Sequence, residues 1–297
     1  IYRTNQAFEG SVKEAYRVLA GQDPAKKRPF DIENYLEQNN VFRSRVLSQL
    51  TTYRTEWRNP SAHDYKLDFD ESEAFLAIVS VSAFACLLLD QIAERLAYTR
   101  SQAEAEAQKA ALDASLAQTV NAGLLVRVTE LLNQFCAIHL PSASSSSRAT
   151  ESQVIGALHG FLSSAAPELM VQTDARLDAE RSFRADLLVS RGDEKVVIEL
   201  KRRLMRQSYA NAVAQVEHYL LIGGIKNGIL LFLPDAPSDM ERLDTNIAGI
   251  DGRLVVLSPL GSNPSLNRTA SGLQPLVSTN VMPQSPHGNA QLYFIND

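Results

Sequence analysis

At 297 residues, with 45% hydrophobic and 21% charged side chains, the chain has the composition of a soluble globular protein of one large or two ordinary domains. A formal net charge of -5 excludes a protein that coats nucleic acid non-specifically and leaves such contacts to a local basic patch. Two cysteines, Cys86 and Cys136, lie outside any C-x-x-C or Cys/His cluster, which excludes a structural zinc site and a disulfide framework. No signal-peptide pattern is present, so a cytoplasmic protein is expected.

The first half reads as helix. Phe8, Val12, Ala15, Tyr16 and Leu19 recur at helical spacing over 6–20, and Asp31 is placed to cap a short second helix containing Tyr35 and Leu36. Residues 41–57 carry one apolar stripe, expected to end near Asn59-Pro60 because proline disfavours helical geometry in the residue before it. A long helix follows over about 71–100. Its core, "AFLAIVSVSAFACLLLD" (74–90), falls short of the ~20 apolar residues of a membrane span and is bounded by Glu73 and Asp90. It is read as the buried central helix of a bundle, with no membrane contact. Residues 101–139 stay helical with a break at Asn121-Ala122-Gly123, and "LPSASSSSR" (140–148) reads as a linker.

Beyond the serine tract the pattern changes. A helix is expected over 150–168, then two strand-like runs, "RADLLVS" (184–190) and "KVVIELK" (195–201), joined by a tight turn at 191–194. A helix over 208–224 stops at Gly223-Gly224, and "GILLFLP" (228–234) and "RLVVLSP" (253–259) read as short buried strands. After about 261 the chain becomes irregular, although "QLYFI" (291–295) has strand character. The fold class is therefore α+β: an all-α first half, and a second half with a mixed sheet flanked by helices.

Strand alternation puts Glu199 and Lys201 on one face, with Leu200 pointing away. If the two runs pair as a hairpin, Asp186 approaches Glu199. Two carboxylates at one sheet end repel unless a proton or cation lies between them, and such oxygen ligands suit Mg²⁺ or Mn²⁺. A lysine beside them can hold an attacking water or stabilise charge on a phosphate.

Asp186, a hairpin, then Glu199-x-Lys201 resembles the signature of PD-(D/E)xK nucleases, the restriction-endonuclease-like fold. Gln215 and Tyr219 add a Q-x-x-x-Y spacing similar to the RecB-like branch. The proline that names the family is absent; Ala185 stands before Asp186. The resemblance covers about 150–260. It implies that Asp186, Glu199 and the Leu200 carbonyl bind Mg²⁺ or Mn²⁺ and that Lys201 assists the water nucleophile. Glu151 is implied as a further acid and Gln215 as an orienting group. Tyr219, Arg184, Arg202, Arg203 and Arg206 are candidate nucleic-acid contacts, with Arg181 nearby.

In the first half, "RNPSAH" (58–63) resembles the R-N-x-x-x-H motif of HEPN domains, helical bundles that are often dimeric and often ribonucleases. The match covers about 1–100 and implies a homodimer formed through the N-terminal helices. Arg58, Asn59 and His63 would then form a metal-independent RNase site, or else cap and staple two helices. The expected organisation is a HEPN-like domain (1–100), a helical connector and serine-rich linker (101–148), a nuclease domain (149–260) and an irregular tail (261–297). The expected activity is metal-dependent hydrolysis of nucleic-acid phosphodiesters, DNA favoured over RNA, in a prokaryotic antiviral defence effector. The rivals are a HEPN ribonuclease toxin and a non-catalytic nucleic-acid-binding scaffold.

Overall fold

A computed structural model describes residues 2–63, 69–141, 149–178, 183–202, 206–247 and 251–261. The tail beyond 261, the serine tract 142–148, Arg181 and Arg203 lie outside the described residues, as do the side chains of His63 and Arg206. Among the described residues the protein is a mixed α+β fold, with helices packed around a six-stranded mixed sheet.

The N-terminal helices are α1 (Tyr2–Val18), α2 (Pro29–Gln38), α3 (Ser44–Tyr53) and the short α4 (Asn59–His63). Phe8 stacks against Tyr53 and Phe84 in their common core, with centroids 4.8 and 5.2 Å away. Two local expectations change. Arg28, not Asp31, occupies the N-cap of α2, and Asp31 sits in the first turn, where its carboxylate meets Arg28 Nε at 2.8 Å. The helix over 41–57 does not stop at Pro60: a π-turn over Arg54–Arg58 leads directly into α4. Pro60 falls where the π-turn passes into α4, a change of hydrogen-bond register at which a missing N–H is tolerated.

The long helix α5 spans Glu71–Ala107, begun by a capping box between Asp70 and Glu73. It is not the buried centre of a bundle. Ala77, Val81, Phe84, Leu88 and Ile92 form its buried stripe, while Phe75, Leu76, Ile78, Val79, Leu89 and Leu96 are each about half exposed or more. Apolar residues ring this helix, and among the described residues helices cover only one side of it. By length and composition alone it is the one helix among the described residues able to cross a bilayer.

After α6 (Lys109–Leu116) comes the expected break, then α7 (Leu124–Gln134), a π-turn over Phe135–His139 and α8 (Glu151–Ala165). A capping box of Thr150 and Gln153 starts α8. The helix lies against α5 so closely that a β-carbon at Gly156 would overlap the Glu94 carbonyl, and one at Gly160 the Tyr98 carbonyl. Residues 1–262 thus form one compact unit, with α5 belonging to both halves.

The strands are β1 (Met170–Arg176), β2 (Arg184–Arg191), β3 (Glu194–Lys201), β4 (Asn227–Phe232), β5 (Met240–Asn246) and β6 (Arg253–Pro259), with α9 (Arg206–Gly223) joining β3 to β4. Their order is β1-β2-β3-β4-β6-β5. The β2–β3 hairpin is antiparallel, turning at Gly192 with φ of 59°, while β3–β4 and β4–β6 are parallel. On one face Leu187, Val189, Val196 and Ile198 pack with Leu158 of α8 and Val128 of α7. On the other, Val197, Leu230 and Val256 pack with Val216 and Leu220 of α9.

Candidate active site

The β2–β3 register pairs Leu187 with Ile198, so one step further along the ladder Asp186 stands opposite Glu199. Both lie where β3 ends, at the carboxyl end of its parallel pairing with β4, a place where open α/β sheets hold their ligands. The Leu200 N–H donates to Asp186 Oδ2 at 2.7 Å, fixing that carboxyl against β3.

Glu199 is 4% exposed, and a charge so enclosed requires partners. Its Oε1 accepts from Lys201 Nζ at 2.8 Å and from Gln215 Nε2 at 2.8 Å. Gln215 Nε2 also donates to the Tyr219 hydroxyl at 2.7 Å, one turn along α9. The Q-x-x-x-Y spacing thus becomes a chain from helix to strand, ending on the catalytic-candidate carboxylate. Glu199 Oε2 is buried with no hydrogen-bond partner among the described residues. Burial, then repulsion from Glu199, pushes the Asp186 carboxyl up to about 7; the Leu200 N–H and Lys201 oppose the shift and Glu151 adds to it. Glu151, in the exposed first turn of α8, shares a cleft of about 230 Å³ with Asp186.

The Asp186 carboxyl and the partnerless oxygen of Glu199 have the chemistry to suit a small divalent cation. Among the described residues no three His, Cys, Asp or Glu side chains form a ready-made cage, so an ion would rest on two carboxylates.

The basic contacts sort less simply. Arg184 Nη1 is held by Asp174 Oδ2 at 2.7 Å and by the Asp174 carbonyl at 3.1 Å. Arg202 is bonded to the Ala149 carbonyl. Tyr219 is buried at the core edge, 6.4 Å from the Phe183 ring, and reaches the site through Gln215 rather than from the surface. Asp174 escaped the sequence reading. It lies on β1 across from Asp186, with φ of 50°, and turns its carboxylate to Arg184. So did Arg43 and Glu94, paired at 2.5 Å, which tie the cleft's helical wall to Thr173 of β1. Arg43 is the N-cap residue of α3 and Glu94 lies in α5 beside Arg95, so neither charge stands out in the sequence.

The R-N-x-x-x-H segment has a different setting. Arg58 is mostly buried, donates to Asn59 Oδ1 at 3.2 Å, and lies 3.8 Å from both Glu9 and the buried Glu33. Burial raises the Glu33 carboxyl, with Arg58 and Arg54 opposing it. Arg58 thus serves as a counter-ion inside the bundle. His63 closes α4, and its side chain lies outside the described residues.

The chain matches no model of a known protein family, no curated protein and no solved structure.

Proposed function

We propose that the protein is a metal-dependent nuclease that hydrolyses nucleic-acid phosphodiester bonds, DNA before RNA, through Asp186, Glu199 and Lys201. The observation that carries this reading is Glu199: a buried carboxylate bonded at one oxygen by Lys201 and Gln215, orphaned at the other, and facing an acid whose proton is held to about pH 7.

A divalent cation bound by Asp186, Glu199 and the Leu200 carbonyl would supply charge neutralisation and an activated water. The remaining work falls to the chain. Lys201, bonded to Glu199, would hold the attacking water and offset charge gathering on the phosphate oxygens. Gln215, held by Tyr219, fixes the rotamer of Glu199. Glu151 adds negative charge at the cleft mouth. Prokaryotic antiviral defence, the setting both resemblances imply, belongs to the same proposal. Arg58 paired with Glu33 supports a stapling role for the R-N-x-x-x-H segment.

The test is cleavage of plasmid, single-stranded DNA and RNA by the full chain, with Mg²⁺ or EDTA. Lys201→Ala is expected to lower cleavage about 100-fold or more, and Gln215→Ala about 10- to 100-fold. His63→Ala is expected to leave it unchanged. Cleavage that survives EDTA and Lys201→Ala but not His63→Ala would replace this reading with the ribonuclease one.

A further inference from the structure

The open side of α5 carries its own pattern. Phe75, Val79, Ser82, Cys86, Leu89, Ala93 and Leu96 follow one another at alternating steps of four and three, the spacing of a helix–helix seam. The seam is about 32 Å long at 1.5 Å per residue. All its members but Ala93 are exposed, and its middle, Ser82 and Cys86, is small enough for two backbones to approach closely.

The two ends of the seam are complementary. Phe75 projects from one end, 63% exposed. At the other, Leu89, Ala93, Leu96 and Ile138 line an open groove of about 730 Å³. Glu71 stands beyond the first end and Arg100 beyond the second, its side chain 83% exposed and bonded to Glu104 one turn on. The pairs Glu71/Arg100, Phe75/Leu96 and Ser82/Leu89 share one midpoint, between Ala85 and Cys86. A two-fold axis there, perpendicular to the helix, sets each phenylalanine into the other copy's groove and each glutamate against the other copy's arginine. A parallel pairing would instead set glutamate on glutamate and arginine on arginine, at a cost.

We propose that this face binds a second copy of the chain, α5 antiparallel to α5, with the two-fold axis passing beside Cys86. Surface that fits itself under a two-fold is what a closed dimer requires. The inference is independent of the nuclease reading, since none of these residues belongs to the carboxylate site.

Sedimentation of the full chain is expected to give a dimer. Phe75→Asp and Leu96→Asp, both at exposed positions, are each expected to weaken it at least about a hundredfold, with unchanged circular dichroism. A short bismaleimide is expected to link wild type through Cys86, and Cys86→Ser to abolish the product; Cys136 is buried. In that Cys86→Ser background, Phe75→Cys and Leu96→Cys are each expected to stay unlinked alone and to link to one another when co-expressed. A wild-type monomer at tens of micromolar would overturn the proposal, as would a dimer indifferent to both aspartates. Phe75→Cys linking to itself would overturn the antiparallel arrangement. Co-flotation of monomers with phosphatidylcholine–phosphatidylglycerol vesicles would give the face to a membrane instead.

Discussion

In the proposed nuclease, Asp186 has two competing ligands for its charge, a proton and a cation. An acid whose folded-state pKa lies above its unfolded one holds its proton more tightly when folded. Its stabilising contribution is therefore complete below about pH 4 and is lost as pH rises through about 7. Asp186→Asn keeps an oxygen for the Leu200 N–H but cannot ionise. The variant is expected to melt with wild type at pH 4 or below and a few degrees above it at pH 8, in thermal scans without divalent ions. Mg²⁺ should raise the wild-type midpoint more at pH 8 than at pH 5 and leave Asp186→Asn nearly unmoved, because the ion takes the place the proton vacates. At this scale the placement of most of the candidate residues was legible: Glu199, Lys201 and Gln215 meet, with Asp186 opposite Glu199, as strand alternation and helical spacing require. What stayed hidden was Asp174, whose role depends on a left-handed backbone and a strand partner ten residues away in sequence.

Elements were legible where burial dictates their residues. β3, β4 and β6 are continuous apolar runs because both faces are covered, and each lies where its run lies. β1 and β5, the two edges, were missed. Both interleave charges with half-buried residues, as in Gln172-Thr173-Asp174 and Glu241-Arg242, and such sequences read equally as loop. The contact of α8 with α5 was likewise invisible, because Gly156 and Gly160 announce a close approach only once the neighbour is known. Gly156→Ala forces a β-carbon into the Glu94 carbonyl. It is expected to destabilise the protein by about 2–3 kcal/mol net in urea unfolding, the overlap outweighing the roughly 1 kcal/mol gained from alanine's better helix propensity.

At the scale of the whole molecule the charge balance matters most. The cleft that holds Asp186 and Glu151 also contains Asp90, Glu94 and Asp174, against Arg43, Arg45 and Arg184. Two of these arginines are already committed to acids, Arg43 to Glu94 and Arg184 to Asp174. With the chain at -5 overall, a polyanion meets a negative wall until cations neutralise it. Nucleic-acid binding by the Lys201→Ala protein is therefore expected to be about tenfold tighter or more in millimolar Mg²⁺ than in EDTA, by fluorescence anisotropy. Equal affinity in both would show that the contacts lie elsewhere on the surface.

One rod, α5, runs some 55 Å at 1.5 Å per residue through this arrangement. Its middle turns, from Val81 to Ile92, serve the aromatic core around Phe8, and the turns that follow, at Glu94 and Tyr98, receive the glycines of α8. The two halves consequently cannot be traded like beads on a string. Severing the chain at the serine tract would strip the second fragment of the backbone its glycines were shaped to meet, and a graft onto another scaffold would have to carry the rod along.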